Sequence, residues 1–247
     1  GTIGGVLATN ASGPRRLTAG AARDYLLGFD AISGRGERFK SGGKVMKNVT
    51  GYDLSKLICG SYGTLAIFDE VTLKTLPKPE TNISLLFPCD DITAAVARIA
   101  GIFASPHEPN AAAILPQAIA AKAGIDVAGA MLAIIRLEGI DVSVADRAAH
   151  LLAAHKEGVM IDTNASTTLW QKIRDVDLLV DTDGDIWKLS CAPASAPAII
   201  ATLLDRFDMQ FFADWAGGLL WLAGPSGAEF GAAMRSALAA NGSGHAQ

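Results

Sequence analysis

The chain has 247 residues, half of them hydrophobic and 19% charged, with a formal net charge of −4. That is an ordinary globular composition with room for two modest domains, and without a basic cluster it argues against a nucleic-acid partner. The most apolar stretch, "GGLLWLAG", is less than half of the roughly 20 residues a membrane-spanning helix needs, and Cys59, Cys89 and Cys191 are isolated, with no C-x-x-C for an iron–sulfur cluster or structural zinc.

In chain order, the first segment is "GTIGGVLATNASGPRR", Gly1 to Arg16. It reads as a loop rich in turn formers. Gly1, Gly4 and Gly5 give G-x-x-G-G, which is not the dinucleotide fingerprint, and no strand precedes them. No G-K-[ST] follows, so it is not a phosphate-binding loop. The loop nevertheless places Thr2, Thr9, Asn10 and Ser12 among four glycines. Such a stretch offers backbone N–H groups and short polar side chains where a flavin edge or pyrophosphate can come close. A motif at the very front, with no starting Met, is expected of a fragment or a chain trimmed at its start.

"DYLLGFDAI" predicts a strand, "GRGER" a tight turn and "RFKSG" a returning strand. Asp53 to Cys59 predicts a short helix, with Asp53 as N-cap and Gly60 at the left-handed C-terminal cap. Tyr52 is expected to be a packed ring. Leu65 to Leu76 alternates as a half-buried strand does. "PKPE" then punctuates the chain, and the domain boundary is placed there, giving segments 1–79 and 80–247.

The second segment is Ala-rich and alternates strand with helix. "NISLLF", "AAAILP", "AMLAIIRLEG", "DIWKLSCAP", "QFFADW" and "LLWLAG" predict strands. "DDITAAVARIAGIFAS", "SVADRAAHLLAAHKEG" and "SAPAIIATLLDRF" predict helices, the first with acidic residues where the helix dipole favours them. The pattern is a doubled β-α-β arrangement, an antiparallel sheet with helices on one face. The ending, "NGSGHAQ", is polar and glycine-rich.

Two motifs in this order, "GTIGGVLATNASG" and "KNVTGYDLSKLICGSYGTLAIFDEVTLK", resemble the FAD-binding domain of FAD-linked oxidases of the vanillyl-alcohol-oxidase (PCMH) type. The resemblance is strongest to the 2-hydroxy-acid dehydrogenases that include glycolate oxidase and D-lactate dehydrogenases. It implies an α+β fold, a partial PCMH-type FAD-binding domain followed by a ferredoxin-like FAD-linked oxidase C-terminal domain. It also implies that FAD lies against the main chain of Gly63, Thr64, Leu65, Ala66 and Ile67, with Gly4, Gly5, Thr9, Asn10, Ser12 and Gly13 along its other side. The family's earlier half of the FAD domain, with its pyrophosphate loop, has no counterpart here, so this chain is expected to bind FAD weakly or not at all.

Catalytic members of the family carry a G-H-x-G-D-G-N-x-H strand. The comparable stretch here is "FADWAGGLLWLAG"; aligned on Gly218, Asp214 and Trp221 stand at the two histidine positions, and Gly217 replaces the acidic residue. The chain therefore resembles the FAD-binding accessory subunits of glycolate oxidase complexes more than the catalytic flavin subunits. That implies a second flavin subunit and an iron–sulfur subunit as partners and a small 2-hydroxy acid as substrate. The isolated cysteines fit a reduced compartment, the cytoplasm, and the resemblance implies a place peripheral to the inner membrane through the complex. No catalytic base is assigned and no metal is expected. Two other readings stay open: a stand-alone flavin-dependent 2-hydroxy-acid dehydrogenase, and a non-catalytic scaffold whose flavin domain is vestigial.

Outside the motifs, His107, His150 and His155 read as solvated surface histidines, and only the family resemblance gives His245 a claim. "DTDGDIW" reads as an acidic turn, since its Gly184 is out of register for a calcium loop. Trp170, Trp187, Trp215 and Trp221 are expected in the core or at subunit contacts, the last two at an interface.

Overall fold

In a computed structural model, residues 1–44, 51–242 and 244–247 are described. The front of the second motif, Lys47 to Thr50, and Ser243 of the tail lie outside them. The chain divides into two compact units, Gly1–Lys78 and Pro79–Gln247.

The first unit opens with α1 (Ile3–Ala8) and a short turn of helix α2 (Arg16–Ala19). Strands β1 (Leu26–Ser33) and β2 (Arg38–Gly42) form the expected hairpin, α3 (Leu54–Ile58) follows, and β3 (Ala66–Leu73) pairs with β1, giving sheet order β2-β1-β3. Asp53 caps α3 as expected, accepting the Lys56 amide at 3.4 Å. Tyr52 is not a packed ring: it is 91% exposed. A small core forms where Leu7 of α1 and Ile58 of α3 meet Leu26, Phe29 and Ala31 of β1. Phe29 is met edge-on by Phe39 at 5.6 Å and Phe68 at 5.7 Å, a favourable aromatic geometry.

The first glycine motif is a helix where a loop was expected. Thr2 accepts the Gly5 amide at 3.1 Å, an N-cap bond. At the far end Thr9 Oγ1 donates to the Gly5 carbonyl at 2.8 Å. These two threonines and burial of Leu7 offset the helical cost of Gly4 and Gly5.

The second unit is one eight-stranded antiparallel sheet built twice on one plan. Its first half runs β4 (Thr81–Cys89), α4 (Ile92–Phe103), β5 (Ala111–Pro116), α5 (Gln117–Lys122), β6 (Met131–Gly139), α6 (Asp141–Ala154), β7 (Val159–Ile161) and α7 (Thr163–Asp175). The second half runs β8 (Asp185–Ser190), α8 (Ala196–Leu204), β9 (Gln210–Asp214), β10 (Leu219–Gly224), α9 (Ala228–Asn241) and β11 (His245–Ala246). The strand order is β11-β8-β10-β9-β5-β6-β4-β7. Each half has its own first strand between its third and fourth, and its second strand next to the third, which is the ferredoxin-like order. The halves meet through the second strand of each, with Ile114 paired to Ala213.

Helices α4, α6, α8 and α9 cover one face, where Phe87, Ile99, Leu151, Ile199 and Phe230 are buried. The one-face expectation fails for α5 and α7. Ile119, Leu169, Trp170 and Ile173 from these helices seal part of the opposite face over Leu86, Leu132, Ile134 and Phe212. Helices α5, α7 and α9 are not among those expected from the sequence. No helix among the described residues is long and apolar enough to cross a membrane.

Candidate functional site

The two sequence motifs meet inside the first unit. The Gly60 amide donates to the Leu7 carbonyl at 2.9 Å, and the Tyr62 amide to the Ala8 carbonyl at 2.8 Å. Beneath them the Cys59 thiol donates to the same Leu7 carbonyl at 3.1 Å. Asn10, in left-handed backbone at φ 49°, accepts the Arg23 amide at 3.0 Å.

The glycines of this corner fall into two kinds. Gly60 has φ +89°, and a Cβ there would lie 3.2 Å from the Asn10 Cβ, so the fold itself requires glycine. Gly63, at φ +76°, and Gly4 would meet nothing within 4 Å. Gly5 would meet only the Thr2 hydroxyl, at 3.3 Å. At Gly4 and Gly5 the protein accepts about 1 kcal/mol per residue of lost helix propensity, and at Gly4 it fills the freed space with nothing of its own.

The outer side of the corner is apolar and open. Leu65 and Ile67 are 49% and 67% exposed, and Tyr62, in left-handed backbone at φ 56°, is 60% exposed. Strained residues of this kind cost free energy and cluster at functional sites. Ser61, which the sequence reading passed over, has a buried Oγ with no hydrogen-bond partner among the described residues. An orphaned hydroxyl beside open glycines and exposed apolar side chains fits a flat ring with a polar edge. The side chains of the other expected residues bond or pack locally, which leaves their main chain to face a ligand. The Thr9 hydroxyl closes α1, and the Thr64 hydroxyl donates to the Ser61 carbonyl. Ser12 accepts Arg16 at 3.2 Å, Gly13 lies in the turn before α2, and Ala66 faces the core.

The second unit carries a separate polar constellation, on the sheet face that α5 and α7 cover in part. Register places Ser84 opposite Arg136, Asp214 opposite Leu219, and Trp221 between Phe212 and Lys188 on this face. Arg136 and Glu138 form an ion pair at 3.3 Å, each side chain 9% exposed, and the Arg136 guanidinium lies 4.8 Å from the Trp170 ring. Trp170 donates its indole N–H to Ser84 Oγ at 2.7 Å, and Ser84 is 2.8 Å from the Ser166 hydroxyl. The Lys188 ammonium sits over two indoles, Trp215 at 5.7 Å and Trp221 at 5.9 Å.

Asp214 is the outlier of this face. It is 2% exposed, and burial pushes its carboxyl up to about 7, against the lowering effects of the Trp215 amide and the Arg136 charge. Cys191 is pushed up to about 11 by burial, which leaves it an inert thiol at neutral pH. His155 packs against Phe87, with ring centroids 5.4 Å apart, and so is less solvated than expected. His107 and His150 stack at 5.8 Å.

No protein-family model matches the chain. It is 34% identical over 222 residues to glycolate oxidase subunit GlcE of Escherichia coli, covering 90% of this chain and 55% of that protein. It is 40% identical over 116 residues to glycolate oxidase subunit GlcD of Bacillus subtilis, covering 47% of this chain and 25% of that one. An uncharacterized FAD-linked oxidoreductase of Mycobacterium tuberculosis is 30% identical over 236 residues, 88% of this chain and 49% of its own length. The chain thus spans about half the length of the two relatives that it matches over most of its own length. Among solved structures, alkyldihydroxyacetonephosphate synthase superposes with a TM-score of 0.65 at 18% identity, over 98% of this chain and 53% of that one. The α+β fold is that of the solved synthase, and over about half of their length these relatives, FAD-linked oxidoreductase and glycolate oxidase subunits, are what the chain is similar to in sequence.

Proposed function

We propose that this chain is part of the FAD-binding subunit of a glycolate oxidase complex. Its first unit is read as the second part of the FAD-binding domain and its second unit as the FAD-linked oxidase C-terminal-like domain. The observation that carries the reading is the junction of the two motifs. The main-chain bonds from Gly60 and Tyr62 to the end of α1 assemble one open corner from Gly4, Gly5, Gly63, Leu65 and Ile67. The GlcE similarity supports the subunit assignment.

In this reading FAD supplies hydride acceptance, and a small 2-hydroxy acid, glycolate, leaves as the 2-oxo acid, glyoxylate. The chain's own residues contribute access and shape. Glycines at 4, 5 and 63 keep side chains out of the way, Leu65 and Ile67 offer apolar contact, and the Ser61 hydroxyl offers a hydrogen bond to the edge of the ring. Thr9, Asn10, Ser12, Gly13, Thr64 and Ala66 hold the corner in shape from the α1 side and from behind. The protein works beside a second flavin subunit and an iron–sulfur subunit that receives the electrons. It is cytoplasmic and meets the membrane through that complex. With about half the relatives' length, this chain alone takes up FAD weakly or not at all.

The absorbance between about 350 and 500 nm, where bound flavin absorbs, tests this on the intact gene product beside the 247-residue chain. A yellow intact product with a colourless shorter chain is the expected result. Two colourless proteins after addition of FAD overturn the flavin reading and leave a scaffold.

A further inference from the structure

Asp214 ends β9 and enters a turn of unusual backbone. Trp215, Ala216 and Gly217 have φ of 52°, 59° and 98°, three successive left-handed residues of which two are not glycine. Left-handed backbone is strained at Trp215 and Ala216, which carry a Cβ, and is free of that penalty at Gly217. The turn is tied at its start by Asp214 Oδ1, which accepts the Trp215 amide at 2.7 Å, and at its end by the Gly218 amide, which donates to the Trp215 carbonyl at 3.0 Å. The Trp215 ring projects to Lys188, which also lies over Trp221. A strained turn, a buried carboxyl that anchors it, and an aromatic pair around one cation are thus mechanically continuous.

We propose that Asp214 and the Trp215–Gly217 turn form a proton-operated hinge on this sheet face, in which gain or loss of one proton at the buried carboxyl re-sets Trp215 against Lys188. Asp214 is here a positioning residue: it acts on the aromatic pair through the turn. The physical reason is the conflict between burial and charge. A neutral carboxyl is tolerated behind the turn, whereas a carboxylate must gain solvent or cationic partners. The turn is the segment best placed to give way, because its opening also releases left-handed strain.

The elements packed around Asp214 bring few rival charges. Strands β5 and β10 and the 193–195 turn carry no titratable side chain, and β9 carries only Asp214 itself. Helix α4 carries only Arg98, which is paired with Glu157, and α5, against β9, carries only Lys122, which donates to Asp181 and Gln210. Cys191 touches the turn, its thiol 3.7 Å from the Gly217 carbonyl, and it stays neutral near pH 7. Strand β6 supplies Arg136 with its partner Glu138, and β8 supplies Lys188 across the Trp215 ring. Carboxylate formation at Asp214 is therefore felt directly by one cation, Arg136, and reaches Lys188 through the Trp215 ring.

All four tryptophans lie in the second unit, so their emission reports this unit alone. The full chain is titrated from about pH 5 to 9, the range that brackets a carboxyl raised to about 7. The expected result is one reversible step in tryptophan emission with a midpoint near that value. The step is lost in Asp214→Asn, which keeps an oxygen for the Trp215 amide but cannot ionise, and is strongly reduced in Trp215→Phe. A step that came from any other group would survive both changes. Hydrogen exchange of the wild-type segment around Trp215, corrected for intrinsic pH dependence, needs no variant and is expected to speed up above the midpoint while β5 stays protected. A flat emission profile in the wild type, a step that persists in Asp214→Asn, or unchanged exchange across the range overturns the hinge.

Discussion

Tyr62 and Ala8 are joined backbone to backbone at 2.8 Å, although α2, the β1–β2 hairpin and α3 separate them in the chain. With the parallel bond from Gly60 to Leu7, this fixes the end of α1 against the turn that feeds β3. Two glycine motifs that are ordinary turn signals when read separately become one surface. The strain of Tyr62, at φ 56°, is the cost of placing its amide over Ala8.

The two kinds of glycine in this corner separate under mutation. Gly63→Ala meets no atom and carries only the left-handed penalty, so it is expected to cost about 1–2 kcal/mol. Gly60→Ala carries the same penalty and also meets Asn10, so it is expected to cost about 2 kcal/mol or more. All three tyrosines lie in the first unit. Thermal melts followed by tyrosine signal would rank the two variants, and equal losses would show that Asn10 gives way freely.

Gly4→Ala tests whether the open side of α1 serves a ligand. Its Cβ meets nothing within 4 Å and its position is helical. On helix propensity alone the variant is expected to gain up to about 1 kcal/mol. If FAD approaches this face, the intact gene product carrying the change should hold less flavin while melting higher. Opposite signs for stability and flavin content would support the site, and a rise in both would exclude Gly4 from it.

Much of this was legible from the residues. The β1–β2 hairpin, the Asp53 cap, α4, α6 and the central strands all follow from period and capping. Of the three unread helices in the second unit, the two long ones were legible. In α9, Phe230, Ala233, Met234, Ala237 and Leu238 recur at helical spacing, and in α7 Ser166, Leu169, Trp170 and Ile173 do the same behind the capping Asp162. The second of these decides which sheet face is sealed. Alpha-1 was hidden for a different reason: paired glycines outweigh Thr2 and Thr9 in any local reading, and their caps act only once Leu7 is buried. Neither the orphaned Ser61 hydroxyl nor the burial of Asp214 has a local signature, because both depend on strands distant in the chain.

Asp214 makes stability fall as pH rises, because burial raises the proton affinity of its carboxyl in the folded state. Unfolded, its carboxyl loses its proton near pH 4, whereas the folded group keeps it to about 7. Between those values the folded state binds more protons, so raising the pH favours unfolding. The contribution is fully present below about pH 4, is lost through the window up to about 7, and is constant above it, with a ceiling of about 4 kcal/mol. Urea midpoints from tryptophan emission are expected to drop across this window for the wild type relative to Asp214→Asn. Parallel curves for the two proteins would show that the folded carboxyl is ionised throughout.

The polar line beneath α7 predicts a coupling rather than a single loss. Ser84 Oγ accepts the Trp170 indole at 2.7 Å and lies 2.8 Å from Ser166, and all three residues are buried. Ser84→Ala leaves an indole N–H and a hydroxyl without their partner, which is expected to cost about 1–3 kcal/mol. In a Trp170→Phe background the same change orphans only Ser166, so its cost should fall by about 1 kcal/mol. The remaining tryptophans still report urea unfolding in both backgrounds. If Ser84→Ala costs the same in each, the Trp170 bond contributes nothing, and α7 is held to the sheet by Leu169 and Ile173 and by the Trp170 ring against Arg136.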